Sequence, residues 1–351
     1  GLRPDGSSSS AKLARSFVIA LIRACMASSL HSTRSAVWCG EDSIDPGVAH
    51  TARWTAALRC IEHDRPDALF SDPLARGFAG EAALQKWITE LAQLTMKCPW
   101  GRNHIAIRSR ALDDIVTEQL DDMRALKVQI VNIGAGMCSR AWRLDVPDVE
   151  VVWFEIDRPD SVQLKKRLIR EQGVQPPVAS FHSIGVNFND QDASLRTALE
   201  ENDFDASLPT VFVMEGFLPY LTRTEIVDLA DELEDLITDD ARLVITCLNE
   251  SLLKEFLVPS ADTLVKYPGT VEISPLFHTC WEADTKEVFE GMGWCSKFVM
   301  SREDYAAQYL DVEMLPYEFP ANKSSTELII LMKRKQEHSF ANFLRNLVPS
   351  C

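Results

Sequence analysis

The chain has 351 residues, with 36 Lys and Arg against 52 Asp and Glu, a net charge of −16. That length suits one large α/β domain or two ordinary ones; no apolar run approaches the ~20 residues that span a bilayer, and the acid excess argues against nucleic acid or an anionic membrane as the main partner. Nine cysteines at irregular spacing, without a CxxC pair, suggest neither a disulfide framework nor a metal knuckle, so a reducing compartment, the cytoplasm, and no bound metal are expected.

Residues 1–47 read as a disordered or targeting-like tail. Up to Trp38 the stretch GLRPDGSSSSAKLARSFVIALIRACMASSLHSTRSAVW holds five basic side chains against one acid, which leaves −20 on the remainder. Its Arg- and Ser-rich character keeps an organelle transit peptide open as the alternative. Apolar residues at three- and four-residue spacing then predict helices over TARWTAALRCIE and EAALQKWITELAQLTM, punctuated by Pro66, Pro73 and Pro99. AIRSRALDDIVTEQLDDMRAL predicts a long amphipathic helix.

Beyond it, β-rich apolar runs recur at Val128 to Ile133, Val151 to Ile156, Val178 to Val186, Thr210 to Met214, Arg242 to Leu248, Trp294 to Met300 and Glu327 to Met332. Helical segments separate most of them. Strands alternating with helices predict an α/β fold with a doubly wound, mainly parallel sheet and a ligand outside the carboxyl ends of the strands. The last two runs lack a clear crossover helix between Ser301 and Ser325, which suits an antiparallel pair at the sheet edge. Residues 336–351 read as a C-terminal tail.

The stretch VQIVNIGAGMCSRAWRL runs from a strand through Gly134-Ala135-Gly136 into a helix. Glycines there let backbone approach a ligand, although a tight turn without a ligand also explains them. A dinucleotide fingerprint would place a third glycine where Ser139 stands, which disfavours a nicotinamide enzyme. Asp157 ends the second strand 23 positions after Gly134, near the ~20-residue interval at which an acid meets ribose hydroxyls. Glu155 is expected to point away and to pair with a nearby arginine such as Arg143.

Taken together, VNIGAGMCSRAWRL, FEIDRPDSVQLKK and PTVFVMEGFLPYLTRTEIVDLADEL resemble the leucine carboxyl methyltransferase-like branch of the S-adenosylmethionine-dependent methyltransferases. TARWTAALRCIEHDRPDALFSDPLA and IRSRALDD resemble the family's N-terminal blocks in the same order, so the likeness covers roughly residues 48–335. It implies a single domain with a seven-stranded, Rossmann-like sheet whose last strand is antiparallel, a helical cap over residues 48–106 and an acceptor-side insertion over 249–282. It also implies S-adenosyl-L-methionine as cofactor, with Gly134 and Gly136 on its methionine and ribose side and Asp157 on the ribose hydroxyls. Arg108 would pair with the cofactor carboxylate, Arg110 being its competitor, and Glu215 would accept from the α-ammonium. Asn187 and Phe188 occupy the adenine-contacting positions where the family usually has Asp-Leu, and Cys138-Ser139-Arg140 stands in place of Asp-Thr-Arg.

The acceptor is less legible. A carboxylate is already ionised at pH 7, whereas a phenol with pKa ~10 benefits from a general base. His104, His182 and His278 read as packed or surface imidazoles, and Cys138 as a packing or ligand-contact thiol. His278, in the variable stretch after the fifth strand, and Tyr220, five residues past Glu215, are the candidates for the acceptor side. This pattern favours O-methylation of a carboxylate on a small molecule or a protein C-terminus. A phenol or hydroxyl methyltransferase and a cofactor-holding protein without turnover are the alternatives.

Overall fold

In the computed structural model, residues 46–98, 101–145, 149–188, 190, 193–237, 240–258, 274–315 and 326–334 are described. The tails over 1–47 and 336–351 fall outside these residues, apart from 46 and 47, as do Pro99 and residues 259–273 of the insertion. Four helices come first: α1 (Pro46–His63), α2 (Ala75–Ala79), α3 (Glu81–Lys97) and α4 (His104–Met123). Asn103 starts α4 by accepting a hydrogen bond from the Ala106 amide, satisfying one of the free N–H groups of the first turn.

The alternating part follows as β1 (Lys127–Ile133), α5 (Arg140–Arg143), β2 (Glu150–Asp157), α6 (Pro159–Gln172), β3 (Ser180–Gly185), α7 (Leu195–Glu200), β4 (Thr210–Met214), α8 (Arg223–Glu234) and β5 (Arg242–Leu248). It closes with α9 (Glu250–Leu257), α10 (Lys286–Gly291), β6 (Trp294–Ser301), α11 (Arg302–Tyr305) and β7 (Glu327–Arg334). The helix expected after the glycine turn is a single turn, α5, and β3 is shorter than its apolar run. A helical stretch that sequence did not show, α11 continued by a π-helical turn over Ala306–Leu310, follows β6.

The seven strands form one sheet in the order β3-β2-β1-β4-β5-β7-β6. β1 pairs in parallel with β2 and β4, and β7 runs antiparallel to both β5 and β6. The antiparallel last strand is therefore wedged inside the sheet, and β6 forms the edge. β4 and β5 are buried throughout, as apolar runs covered on both faces must be. On one face Val128, Ile130, Trp153 and Val213 pack under Leu112, Val116 and Leu120 of α4. On the other, Val131, Phe154, Phe212 and Ile245 meet Leu199 of α7, Leu229 of α8 and Phe289 of α10. The first helices form their own small core, with Ala56, Phe78 and Leu84 packed against Met137 and Leu164. No helix among the described residues is long and apolar enough to cross a membrane.

This topology brings the carboxyl ends of β1, β2, β4 and β5 to one rim of the sheet. Because β7 is antiparallel, its first residue, Glu327, arrives at that same rim.

Candidate active site

The turn after β1 is shaped by backbone. Gly134 and Gly136 have φ of +68° and +44°, conformations that L side chains rarely adopt. The Gly134 amide donates to the Ile156 carbonyl at 2.8 Å, and a Cβ added at this position would run into the Phe217 ring. The Gly136 amide donates to Oδ2 of Asp157 at 2.6 Å, and the Arg158 amide donates to Oδ1 at 2.7 Å. The Ser161 side chain hydrogen-bonds Asp157 as well, so this carboxylate is firmly clamped while lining the cavity that opens above it. Burial raises its pKa above the ordinary carboxylate value, against the lowering effect of those two amides, Lys165 and the Ser161 hydrogen bond.

That cavity measures about 480 Å³, within the ordinary range for small-ligand sites. Arg108, Gly134, Gly136, Asp157 and Glu215 all line it, as do Asn187, Phe188, Tyr220 and His278. Sequence positions spread from α1 to β7 thus meet in one space.

Beneath its centre runs a buried ladder of alternating charge. Arg302 donates to Glu327 at 3.1 Å, and Arg108 donates to Glu327 at 2.9 Å and to Glu215 at 2.8 Å. Arg140 bonds the other oxygen of Glu215 and reaches Asp113 at 2.7 Å; Arg143 also pairs with Asp113 and lies 4.0 Å from Asp72, which Arg59 meets at 2.8 Å. At the far end Arg302 also lies 4.0 Å from Glu303, so five guanidiniums alternate with five carboxylates. Burial alone would raise the pKa of Glu215, but Arg140 and Arg108 reverse this and hold it far below the usual carboxylate value. Burial would likewise lower the pKa of Arg108, yet Glu327 and Glu215 raise it. Arg110, the competitor, points elsewhere and pairs with Asp114 at 2.7 Å.

At the β3 end, Phe188 tilts against Phe217 with centroids 5.4 Å apart, and the Asn187 amide donates to Asp190 at 2.9 Å. Tyr220 lies against Phe277 at 5.2 Å, and its hydroxyl hydrogen-bonds Thr51. His278 is exposed at the cavity's rim, its backbone amide donating to the Pro219 carbonyl at 2.7 Å. His182 is remote, stacked on Phe154 at 4.8 Å. The Cys138 sulfur accepts from Arg140 at 3.4 Å.

Glu155 corrects the sequence reading twice. Two residues before Asp157, it shares that residue's side of the strand, because side chains repeat with a period of two; depth rather than direction keeps it from the cavity. Its partner is Lys165 at 2.6 Å, while Arg143 pairs with Asp113. Sequence reasoning also passed over Glu327, Arg302, Arg59 and Asn132, and set aside His104. Glu327 could have been found: a carboxylate at the first position of an antiparallel strand must lie beside the carboxyl ends of its parallel neighbours. Asn132, two residues before Gly134, lines the cavity with a buried amide nitrogen that has no hydrogen-bond partner among the described residues. His104 also lines it, its pKa pushed well below the ordinary imidazole value by burial and then by Arg302 and Arg108.

Comparison with known proteins shows the family. Residues 52–234 match the family model described as Leucine carboxyl methyltransferase. A Mycolicibacterium smegmatis protein assigned to the S-adenosyl-L-methionine-dependent methyltransferases is 28% identical over 74% of this chain and 87% of its own. A Mycobacteroides abscessus protein of the same assignment is 30% identical over 71% of this chain and 80% of its own. A crystal structure of a Thermobifida fusca protein described as a methyltransferase covers 86% of this chain and 100% of its own, with 14% identity and a TM-score of 0.48. The chain is an S-adenosylmethionine-dependent methyltransferase. It belongs to the leucine carboxyl methyltransferase family.

Proposed function

We propose that the enzyme methylates a carboxylate oxygen, in a reducing compartment such as the cytoplasm. The observation that carries this reading is that three guanidiniums of the ladder, Arg59, Arg108 and Arg302, line the cavity, and their fixed N–H groups suit a carboxylate. Bound S-adenosylmethionine supplies a sulfonium methyl, a carbon electrophile to which an acceptor oxygen's lone pair bonds as the carbon–sulfur pair stays on sulfur, leaving a thioether.

The residues suit such a cofactor. Asp157 lines the cavity with acceptor capacity left for a ribose hydroxyl, and the positive-φ glycines clear space beside it. Arg108 would hold the cofactor's carboxylate and Glu215 its ammonium, with Asn187 and Phe188 at the adenine end and the buried amide of Asn132 a further donor below. Tyr220 would orient the acceptor, and His278 would border its entrance. A carboxylate acceptor enters ionised and needs no proton removed. The remaining task is to hold nucleophile and electrophile in line while excluding water.

One observation favours a second reading. His104 lines the cavity as a ring that could take a proton from a phenol, although burial, Arg302 and Arg108 oppose the charge it would then carry. Transfer of a radiolabelled methyl group decides between them: a base-labile ester supports carboxylate methylation, and a base-stable ether with label lost in His104→Phe supports the phenol.

A further inference from the structure

Resting on the carboxylate reading, we propose that the acceptor is a small acid whose carboxylate is carried on a flat, apolar body, and that this body lodges between two aromatic walls of the cavity.

One wall comes from the second half of the chain. Leu252 and Phe256 of α9 pack with Phe277 and Tyr220; Phe256 and Tyr220 approach Phe277 with ring centroids 4.7 and 5.2 Å apart. The facing wall comes from the first helices: Trp54 and Leu58 of α1, Trp87 of α3 and Ile105 of α4, with Trp54 and Trp87 edge to face at 6.1 Å. Lys86 covers the Trp54 ring at 3.6 Å, and its charge is matched by Glu90 at 4.0 Å. All these residues line the same cavity, and Arg108, Glu327 and Arg302 lie on its floor. An apolar ring entering between the walls would thus bring a carboxylate to the guanidiniums.

Two physical arguments select this class. The first is polarity: the Tyr220 hydroxyl is already bonded to Thr51, Leu252, Phe256, Phe277, Leu58 and Ile105 offer no side-chain hydrogen bond, and the indoles of Trp54 and Trp87 can only donate, so these walls hold no acceptor for the amide N–H groups next to a peptide's terminal carboxylate. Burying such amides without partners is costly, whereas ring faces gain from aromatic contact. The second is size: about 480 Å³ has to admit cofactor and acceptor together, which leaves space for a small molecule.

The test uses the full chain with labelled S-adenosylmethionine and three acceptor sets: aryl-substituted acids, small polar acids such as lactate, and short peptides with free C-termini. Base-labile product with kcat/KM at least about tenfold higher for the aryl acids is expected. Phe256→Ala should raise the aryl-acid KM about tenfold with the S-adenosylmethionine KM unchanged, Phe256→Trp should retain binding, and Trp54→Leu provides an independent variant on the facing wall. Calorimetric titration of an aryl acid into the S-adenosylhomocysteine complex should lose affinity in parallel. Ester formation with lactate or peptides preferred, or indifference to both wall variants, overturns this proposal while leaving the carboxylate reading standing. Base-stable product overturns the carboxylate reading itself, and the proposal with it.

Discussion

At the glycine-loop end of the cavity, the ligand-facing atoms are fixed by backbone: the Gly136 and Arg158 amides clamp Asp157, and the Gly134 amide is tied to β2. Along the cavity's walls they are ring faces from α1, α3, α9 and the segment around Phe277, elements far apart in the chain. Beneath the cavity lies the ladder, in which Arg108 joins Glu327 from 219 residues away. Backbone fixation suits a ligand that is the same in every turnover. Side-chain walls can be reshaped without disturbing the sheet, so variation in the acceptor is expected to be written there.

That contrast can be broken in several places. The largest effect is expected at the ladder, where Glu215→Gln leaves two buried arginines short of a partner and should cost about 3–5 kcal/mol of stability at neutral pH in denaturant unfolding. The sign with pH follows from its lowered pKa: Glu215 stabilises the fold above the ordinary carboxylate value of about 4.3 and loses that contribution as pH falls below it. The gap between variant and parent should therefore close in acid, and a gap independent of pH would show that Glu215 is not a stabilising anion.

Next is cofactor affinity. Arg108→Ala should weaken S-adenosylhomocysteine binding more than about tenfold by calorimetry, since charge-assisted hydrogen bonds of ~1.5–3 kcal/mol are lost. Arg110→Ala, on the outer side of the helix, should leave it within about twofold, as expected for an exposed pair; reversed results would transfer the role to Arg110. Asp157→Ala should also weaken binding more than about tenfold yet leave the acceptor KM unchanged, and a matching loss on the acceptor side would erase the division between loop and walls. The smallest effect is expected at His278→Ala. Exposed at the rim, it should alter kcat less than about threefold, and a collapse of kcat of a hundredfold or more would restore it as a proton-transfer group.

The legibility of the molecule follows the same division. β1, β4 and β5 were visible as apolar runs because strands buried on both faces leave no polar alternation to confuse the pattern. Gly134, Gly136 and Asp157 were visible because one turn and one neighbouring strand hold them, so their sequence interval is nearly their spatial relation. The place of β7 between β5 and β6 was not, since an antiparallel pair can be ordered either way along a sheet edge. Nor were Glu327, Arg302 and Arg59 as partners in one ladder: their encounter depends on strand order and helix placement, which no local spacing encodes. Glu155 was misread for a simpler reason, a parity of two overlooked along a single strand.

The antiparallel entry of β7 also bears on how the enzyme comes into being. A nascent chain that has emerged as far as β5 already carries the glycine turn, Asp157, Arg108 and Glu215, but Arg108 still lacks its second carboxylate. Glu327 supplies it only when β7 slots between β5 and β6, one of the most distant pairings in the fold, and such pairings form slowly because long loops must close first. The charged floor of the cavity is therefore complete only once β7 has taken its place in the sheet.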